Sequence, residues 1–319
     1  MLNALSGSWL RPHAAALLAL LLPPIAALGS VPAVASDLPV PKQADIKFGV
    51  YAMGGQVFDV DLSLRREQKA GDAPRQLSIA SAMRSTGAAN VFLRFQMQSD
   101  LDLRLERDSL KPLRYASESD GSFNRRSITM TWGPDGLPRT ELMPPNEDDD
   151  RDPVPVDLTR NTLDPTTAIL ARSLMASDAP PCQGSDPIFD GRRRYNLHYS
   201  PVRWEGLPAY RRSAYSGDAF KCTVRVEPIA GYAKKYMENT RKLENEQTEI
   251  WLARLPGKQA GEAIWLPVRL RSQWMLGEVD GFISAAALDG HTLLSPIEGL
   301  AWNPPSRPDG PAISPSSRN

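Results

Sequence analysis

The sequence predicts a mainly β protein built on an antiparallel sheet, with a minor helical part. Apolar and polar residues alternate with a period of two in one segment after another, as in strands with one buried face. Clusters of glycine, proline, aspartate and serine separate these segments, which is typical of turns between antiparallel strands. A convincing helical pattern occurs at only one place in the chain.

The first β-hairpin is predicted at residues 46–64. Residues 46–53 and residues 56–64 both alternate, and Gly54-Gly55 between them is a signal for a tight turn. One face of the second run carries aliphatic and aromatic side chains, and the other face carries aspartate and serine. This pair therefore indicates two half-buried strands joined directly.

Further strands continue the same pattern along the chain. Residues 97–106 alternate, and Asp108-Ser109 then turns the chain toward a strand through Leu113 and Tyr115. Residues 127–132 are β-rich and end in the turn-forming residues 133–136. Later strands are predicted at residues 194–199, 221–227, 248–255, 264–274 and 278–287.

One helix is predicted over residues 166–175. Asp164 supplies its N-cap, and Pro165 takes the first helical position, where a missing N–H costs nothing. Leu170 and Leu174 lie one turn apart and mark its buried side. A second, shorter helix is predicted at residues 88–95.

The amino-terminal 35 residues are typical of a cleavable export signal. Arg11 precedes an apolar stretch at residues 14–22, which is too short to span a bilayer. Small residues at Ala33 and Ala35 predict cleavage after Ala35, with an uncleaved anchor as the alternative. Because no cysteine lies near the cut and no later segment is long and apolar, we expect neither a lipoprotein nor a transmembrane segment in the mature chain.

The rest of the chain is predicted to hold one large β-rich domain at residues 36–292. A proline- and serine-rich tail at residues 293–319 is predicted to be disordered. The whole chain has 37 basic and 37 acidic residues, and removal of Arg11 with the signal leaves 36 against 37, a net charge of −1. A nearly neutral mature protein argues against nucleic acid as the partner.

The two cysteines, Cys182 and Cys222, both lie in the exported part of the chain. In an oxidising compartment a lone pair predicts one disulfide. A redox pair and a metal site are the alternatives, but the chain has neither a C-x-x-C spacing nor clustered histidines.

Two charged clusters are candidate binding sites. The cations Arg192 and Arg194 are predicted to share one strand face, where they could contact an anionic ligand; ion pairing at the sheet rim, with Asp190 or Glu227, is the preferred interpretation. The aspartates at positions 148, 150 and 152 invite calcium, but Pro153 and Thr159 stand where an EF-hand loop needs glycine and glutamate. A solvated acidic loop is the preferred interpretation of the second cluster.

Catalytic, cofactor and metal motifs are not found. The chain has no G-x-S-x-G, S-x-x-K or H-E-x-x-H pattern and no glycine-rich phosphate loop. After loss of the signal only His198 and His291 remain as candidate bases. The sequence therefore assigns no catalytic residue, cofactor or metal ligand, and an enzyme is not the preferred interpretation. Three tryptophans in predicted strands could line an apolar cavity or fill the core: Trp251, Trp265 and Trp274.

Several motifs together resemble a known bacterial family. The motifs occur at residues 51–60, 112–115, 151–155, 162–165, 189–195, 227–232, 249–255 and 267–269, with Cys222 among them. In order and spacing they are similar to the envelope family called domain of unknown function 3108, over residues 45–288. This resemblance implies a periplasmic protein of Gram-negative bacteria with no agreed activity and no catalytic residues to transfer.

The same resemblance implies a shape and a range of functions. By analogy, the shape is a single curved antiparallel sheet around one or two helices, a half-barrel or β-spiral like those of lipoprotein carriers and of a disulfide-bearing family tied to envelope integrity. The preferred function is a non-catalytic periplasmic protein that supports the envelope by binding a lipid-like or peptide ligand, or a protein partner, on the inner face of the sheet. The alternatives are a lipid or lipoprotein carrier with an apolar cavity, and a hydrolase that uses His198 or His291.

Overall fold

Fourteen antiparallel strands form one open sheet in the computed structural model. The structure describes residues 40–67, 75–92, 94–106, 109–122, 125–145, 151–174, 180–233, 247–256, 263–274 and 277–297. The strands are β1 (Gln43–Ala52), β2 (Gly55–Glu67), β3 (Arg75–Ser85), β4 (Gln96–Leu105), β5 (Leu110–Asp120), β6 (Arg125–Trp132), β7 (Pro138–Met143), β8 (Gly184–Phe189), β9 (Arg194–Leu207), β10 (Gly217–Ala230), β11 (Gln247–Pro256), β12 (Ala263–Trp274), β13 (Gly277–Leu288) and β14 (His291–Leu294). The helices are α1 (Gly87–Phe92) and α2 (Pro165–Leu174), with a 3₁₀ turn at Val156–Thr159.

The order of strands across the sheet is β7-β6-β5-β4-β3-β2-β1-β13-β12-β11-β10-β9-β8, and β14 pairs with β13. Two meanders, β1 to β7 and β8 to β13, thus meet where β1 pairs with β13. This pairing joins the first and the last long strands of the described chain. The expected mainly β fold with one large antiparallel sheet is confirmed.

The predicted first hairpin is confirmed, with strands longer than expected. Its turn lies at Met53 and Gly54, which both adopt positive φ angles of 47° and 80°. Gly54 tolerates this conformation because it has no Cβ. The alternation then puts Leu62 and Leu64 on the core side of β2.

Several strands lie where no strand was expected: β3, β7, β8 and β14. The last of them includes Leu293 and Leu294, so the first residues of the expected disordered tail are part of the sheet. The tail beyond residue 297 and the export signal expected at residues 1–35 both lie outside the described residues.

The short helix expected at residues 88–95 is shorter, Gly87–Phe92. Its end is set by the chain that follows, because Arg94 has a φ of 40° and Phe95 is bound to β3. The Phe95 carbonyl accepts a hydrogen bond from the Ser85 N–H at 2.8 Å, and the Phe95 N–H donates to the Ser85 hydroxyl at 2.9 Å. Residues 94–95 therefore lead directly into β4.

The helix α2 is confirmed, together with its cap. The buried Asp164 carboxylate accepts the backbone N–H groups of Thr166 at 2.9 Å and of Thr167 at 3.0 Å, as well as the Thr167 hydroxyl. Burial raises the pKa of Asp164, and these hydrogen bonds oppose that shift. The longest described helix is α2 with ten residues, so no helix in the described part of the chain could cross a membrane.

The core of the sheet packs around α2. Leu170 of this helix joins a buried cluster of side chains from β1, β2, β3, β4, β5, β12 and β13. The buried members of the cluster are Val40, Ala44, Leu64, Leu77, Ile79, Leu101, Leu103, Leu110, Leu170, Ile264 and Leu288. The expectation that the sheet surrounds a helix is thus met at α2.

The segment before α2 connects the two outer strands of the sheet. The Asn161 N–H donates to the Gly136 carbonyl, in the turn between β6 and β7, at 2.9 Å. Two residues later, Leu163 pairs in parallel with Ile188 of β8 through hydrogen bonds with Pro187 and Phe189, both at 2.9 Å. This segment therefore covers part of the β8 edge and ties it to the β6–β7 turn.

The expected disulfide is present between Cys182 and Cys222. The two residues are 40 positions apart, and their Cα atoms lie 5.8 Å apart. Cys222 is in β10, opposite Pro201 of β9, whereas Cys182 precedes β8. The bond thus links the start of β8 to β10 across the intervening strand, and it is buried beside Leu252 and Trp265.

Candidate functional site

The arginines expected to clamp an anion do not share a strand face. β9 begins at Arg194, and Arg192 lies in the turn before it. Arg192 donates to the Pro144 carbonyl at 3.0 Å, and Arg194 donates to the Leu158 carbonyl at 3.0 Å. The ion pair with Asp190 is made by the intervening Arg193, at 2.7 Å. The shared strand face is not observed because Arg192 lies outside β9, and both guanidinium groups bind the backbone of connecting segments. Contact of these arginines with an anionic ligand stays a prediction.

His198 forms a hydrogen bond with a carboxylate, as the hydrolase alternative requires. Its Nε2 lies 2.7 Å from Oε2 of Glu227, and the Asn196 amide donates to the same oxygen at 2.8 Å. These hydrogen bonds lower the pKa of Glu227, the bond from Asn196 having the largest effect. Ser185 of β8 lies opposite His198 in the strand register. His291 is exposed in β14, which is not a neighbour of β9, so the two histidines are not brought together.

Two of the three tryptophans belong to the core. Trp265 is buried against the disulfide, and Trp251 is buried with Ala253 and Leu266. The indole N–H of Trp251 donates to Glu205 at 2.7 Å, which satisfies its polar atom and lowers the pKa of that carboxyl. Trp274 ends β12, and its side chain lies outside the described residues.

The acidic loop is only partly described. The aspartates at positions 148 and 150 lie outside the described residues, whereas Asp152 lies within them. Among the residues that the structure describes, no three His, Cys, Asp or Glu side chains come together as metal ligands would.

An open groove of about 310 Å³ lies at the end of the sheet where β1 turns into β2. Three segments distant in sequence form it: the β1–β2 hairpin, the connection between β9 and β10, and the start of β13. The residues that line it are Tyr51, Ala52, Met53, Gly54, Arg212, Glu278 and Asp280. It is the best candidate for a ligand site among the described residues because aromatic and charged side chains converge on it.

The wall of the groove is a stack of aromatic rings and one guanidinium. The Tyr51 ring lies over Gly49 and meets Phe282 edge-on, with ring centres 5.8 Å apart. Tyr210 packs against the same Phe282 at 5.1 Å. The Arg212 guanidinium lies 4.5 Å from the centre of the Tyr51 ring and donates to the Gly54 carbonyl, so it is fixed beside the hairpin turn.

The opposite wall of the groove carries two carboxylates, whose charges are largely neutralised by neighbouring arginines. Asp280 accepts hydrogen bonds from Arg269 at 3.0 Å and from Arg271 at 3.1 Å. Arg271 also lies 3.3 Å from Glu278. By contrast, no described carboxylate lies within ion-pair distance of Arg212. The Arg212 guanidinium is consequently the cation at the groove that can pair with an anionic group of a ligand.

Burial also affects the protonation of Tyr51 in the groove. It raises the pKa of the Tyr51 phenol, with Arg212 opposing the shift, so the ring stays neutral at physiological pH. The groove combines the Tyr51 phenol ring, the Arg212 guanidinium and the partly exposed Glu278 carboxylate. These are recognition groups for a ligand that has an apolar or flat part beside a negative charge.

The sequence pointed to only one part of this groove, the Gly54-Gly55 turn. Tyr51, Arg212 and Asp280 are separated by more than sixty residues each and follow no motif. Their proximity depends on the pairing of β1 with β13, which local alternation does not specify. The dibasic Arg211-Arg212 next to Tyr210, in a connection between two strands, was the one local signal available.

Comparison with known proteins gives a family and a similar solved structure. A beta-barrel-like protein of the domain of unknown function DUF1849 from Brucella abortus matches with a TM-score of 0.42 and 9% sequence identity, over 78% of this chain and 98% of that chain. No curated protein matches the sequence. The family model described as protein of unknown function (DUF3108) matches residues 45–284, which is most of the chain. The chain therefore belongs to the DUF3108 family.

Proposed function

We propose that this is a non-catalytic periplasmic protein that supports the cell envelope by binding an extended peptide segment with an acidic side chain. Arg212 is the observation that carries the proposal. It is held between the Tyr51 ring and the hairpin turn, and no described carboxylate pairs with it. A carboxylate from a peptide would complete its coordination.

The groove geometry supports a peptide as the ligand. The Tyr51 ring can pack against an apolar side chain next to the carboxylate, and Glu278 can accept backbone N–H groups from the peptide. The groove is open, so a chain can pass through it without an enclosed cavity.

A lipid carrier is less well supported. That alternative requires a continuous apolar cavity inside the sheet. In the described part of the chain, Leu170 of α2 and buried side chains from seven strands pack together on the inner side of the sheet. A ligand on the inner face would have to displace this packing, so the binding site is proposed at the end of the sheet.

A hydrolase is the second candidate, and one observation favours it. Ser185, His198 and Glu227 lie on three adjacent strands, with the His–Glu hydrogen bond already formed. No hydrogen bond between Ser185 and His198 is present among the described contacts. Labelling of Ser185 by a fluorophosphonate probe, lost in His198→Ala, would establish this function; an unlabelled protein would eliminate it.

The peptide proposal is tested with a pair of labelled hexapeptides, Ala-Ala-Asp-Phe-Ala-Ala and its isostere with Asn in place of Asp. Fluorescence anisotropy should give about tenfold or more tighter binding of the acidic peptide, because a charge-assisted hydrogen bond contributes about 1.5–3 kcal/mol. The variant Arg212→Gln should bind both peptides equally.

The matched control is Arg125→Gln, which removes an exposed arginine that lies 3.8 Å from Glu118 in β5. It should leave the preference for the acidic peptide unchanged. Equal affinity of the wild-type protein for the two peptides would disprove the proposed role of Arg212. Native mass spectrometry of the protein purified from the periplasm is a second test. A co-purifying lipid would favour the lipid-carrier function instead.

The proposed location has its own test. Amino-terminal sequencing of the protein recovered from the periplasmic fraction should begin at Ser36, one residue after the expected cut. Recovery of the full-length chain from the cytoplasm would contradict export.

A further inference from the structure

We propose that the end of the sheet that carries α1 docks on the surface of an anionic lipid bilayer. Three connecting segments lie side by side at this end: the β1–β2 turn, α1, and residues 121–122 after β5. The Thr86 N–H, at the start of α1, donates to the Val57 carbonyl of β2 at 2.9 Å. The Ser122 hydroxyl, just after β5, donates to the Phe92 carbonyl of α1 at 3.1 Å.

Large apolar side chains project from two of these connections. Met53 of the β1–β2 turn is 79% exposed, and Val91 and Phe92 of α1 are 69% and 75% exposed. No residue of α1 is buried, so the helix contributes nothing to the core. Contiguous exposed apolar groups, such as the consecutive residues Val91 and Phe92, typically mark an interaction surface.

Unpaired cations accompany the apolar tips. Arg94 follows α1, Arg126 lies at the start of β6, and Arg211 is in the connection beside the β1–β2 turn. All three are exposed, and none has an ion-pair partner among the described residues. Their charge is complementary to an anionic surface, which attracts clustered arginines and lysines.

The acidic residues at this end are partly neutralised within the protein. Glu118 of β5 lies 3.8 Å from Arg125, and Glu278 lies 3.3 Å from Arg271. Asp120 at the end of β5 and Asp218 at the start of β10 are also exposed at this end, and neither has an ion-pair partner among the described residues. The three unpaired arginines exceed these two carboxylates by one, and Arg212 adds a fourth cation.

A bilayer fits these features better than a folded protein. Val91 and Phe92 project from α1 and lie outside the groove, and Met53 projects from a different connection at the edge of the groove. A fluid interface can take up each tip independently, while the arginines remain at the level of the lipid head groups. This inference goes beyond the proposed peptide binding and does not require it.

The test is flotation of the purified protein with vesicles of phosphatidylglycerol and phosphatidylcholine at 30:70, and with vesicles of phosphatidylcholine alone. We expect at least tenfold stronger partitioning onto the anionic vesicles, and a marked loss between 50 and 500 mM NaCl. The variant Val91→Ser/Phe92→Ser should lower partitioning at least tenfold, and Arg94→Gln/Arg126→Gln should remove the preference for anionic lipid.

The matched control is Val156→Ser/Leu158→Ser. These residues are also exposed, but they lie in the 3₁₀ turn near the β6–β7 turn, at the opposite end of the sheet. Partitioning should be unchanged in this variant. Equal loss in the control, equal binding to both kinds of vesicle, or no binding to either would overturn the proposal. Because Arg212 is retained in every variant, peptide binding can be measured separately.

Discussion

At the level of single residues, Gly49 fixes the position of the ring at the proposed ligand site. A Cβ atom at this position would lie 2.9 Å from a carbon of the Tyr51 ring, closer than van der Waals contact allows. The ring can lie flat over the strand only because the side chain of residue 49 is a hydrogen. The groove therefore depends on a glycine that does not line it.

The substitution Gly49→Ala should displace the Tyr51 ring from Arg212 and reduce the preference for the acidic hexapeptide about tenfold. Gly55→Ala is the matched control, because a Cβ atom there meets no neighbouring atom closer than 4.0 Å. Fluorescence anisotropy with both peptides measures the effect. A Gly49→Ala protein with full discrimination would show that the Tyr51 ring position does not matter for binding.

Tyr195 gives the fold a dependence on alkaline pH. Burial raises the pKa of its phenol above the ordinary value of about 10, and Asp190 adds to the shift. The folded state thus favours the neutral phenol. Its contribution to stability is complete below about pH 10 and is lost as pH rises from there toward the folded pKa.

Thermal unfolding followed between pH 8 and pH 11 tests this dependence. The melting temperature of the wild-type protein should fall above pH 10, and the fall should be shallower in Tyr195→Phe. Tyr199→Phe should act in the same direction, because burial also raises the pKa of Tyr199. Parallel curves for the wild type and Tyr195→Phe would contradict the assignment.

Residue-level prediction from sequence succeeded where the interaction is local. Asp164 caps α2 as expected, since its partners are two and three positions away. The strand face expected for Arg192 and Arg194 did not form, because Arg192 precedes β9 and the carbonyl groups that the two arginines bind lie 48 and 36 residues away. A cluster of cations in a sequence does not specify whether a ligand or the distant backbone will bind it.

At the level of elements, α2 is amphipathic, and substitutions at two adjacent residues can test which of its faces packs in the core. Leu170 is 5% exposed and packs in the buried cluster, whereas its neighbour Ile169 is 46% exposed. The two side chains have the same number of carbon atoms and sit on the same helix. They differ mainly in burial.

Leu170→Ala should lower the free energy of unfolding by about 2–5 kcal/mol through lost burial and a residual cavity. Ile169→Ala should change it by about 1 kcal/mol or less, because little of its side chain leaves water on folding. Urea unfolding followed by circular dichroism compares the two variants. Similar losses would indicate that Leu170 does not face the core.

Strand prediction depended on how strongly the apolar residues alternate. The β1–β2 hairpin was evident because large apolar residues alternate with aspartate. β3 was missed because alanine and serine occupy both of its faces, as at Ser78, Ala80 and Ser81, and this weakens the contrast. β8 was missed because Pro187 interrupts it, yet a proline is compatible with an outer strand.

At the level of the whole molecule, the chain termini of the described domain meet inside the sheet. β1 lies between β2 and β13, and β13 lies between β1 and β12, so neither β1 nor β13 is an edge strand. No local pattern predicts that pairing, because it joins residues more than 200 positions apart. The proposed ligand groove is formed at this same junction, which explains why the sequence did not reveal it.

The disulfide stabilises the other half of the sheet, where β8, β9 and β10 end the strand order. Its two residues enclose a segment that contains all of β8 and β9. Closing a loop of this length restricts the unfolded chain, and the loop-entropy relation gives roughly 4 kcal/mol as an upper figure. The Leu163–Ile188 pairing also depends on β8 being in place.

The variant Cys182→Ser/Cys222→Ser should therefore unfold at a lower urea concentration, with a loss of about 2–4 kcal/mol relative to the oxidised wild-type protein. Wild-type protein reduced with dithiothreitol should show a similar loss, whereas dithiothreitol should not affect the variant. Because β8 is tied to β10 only through β9 once the bond is absent, hydrogen exchange should rise first in β8 and in residues 161–163, and should remain slow in β1 and β2. Uniform exchange across both halves of the sheet would show that the cross-link stabilises the domain as one unit instead of its outer strands.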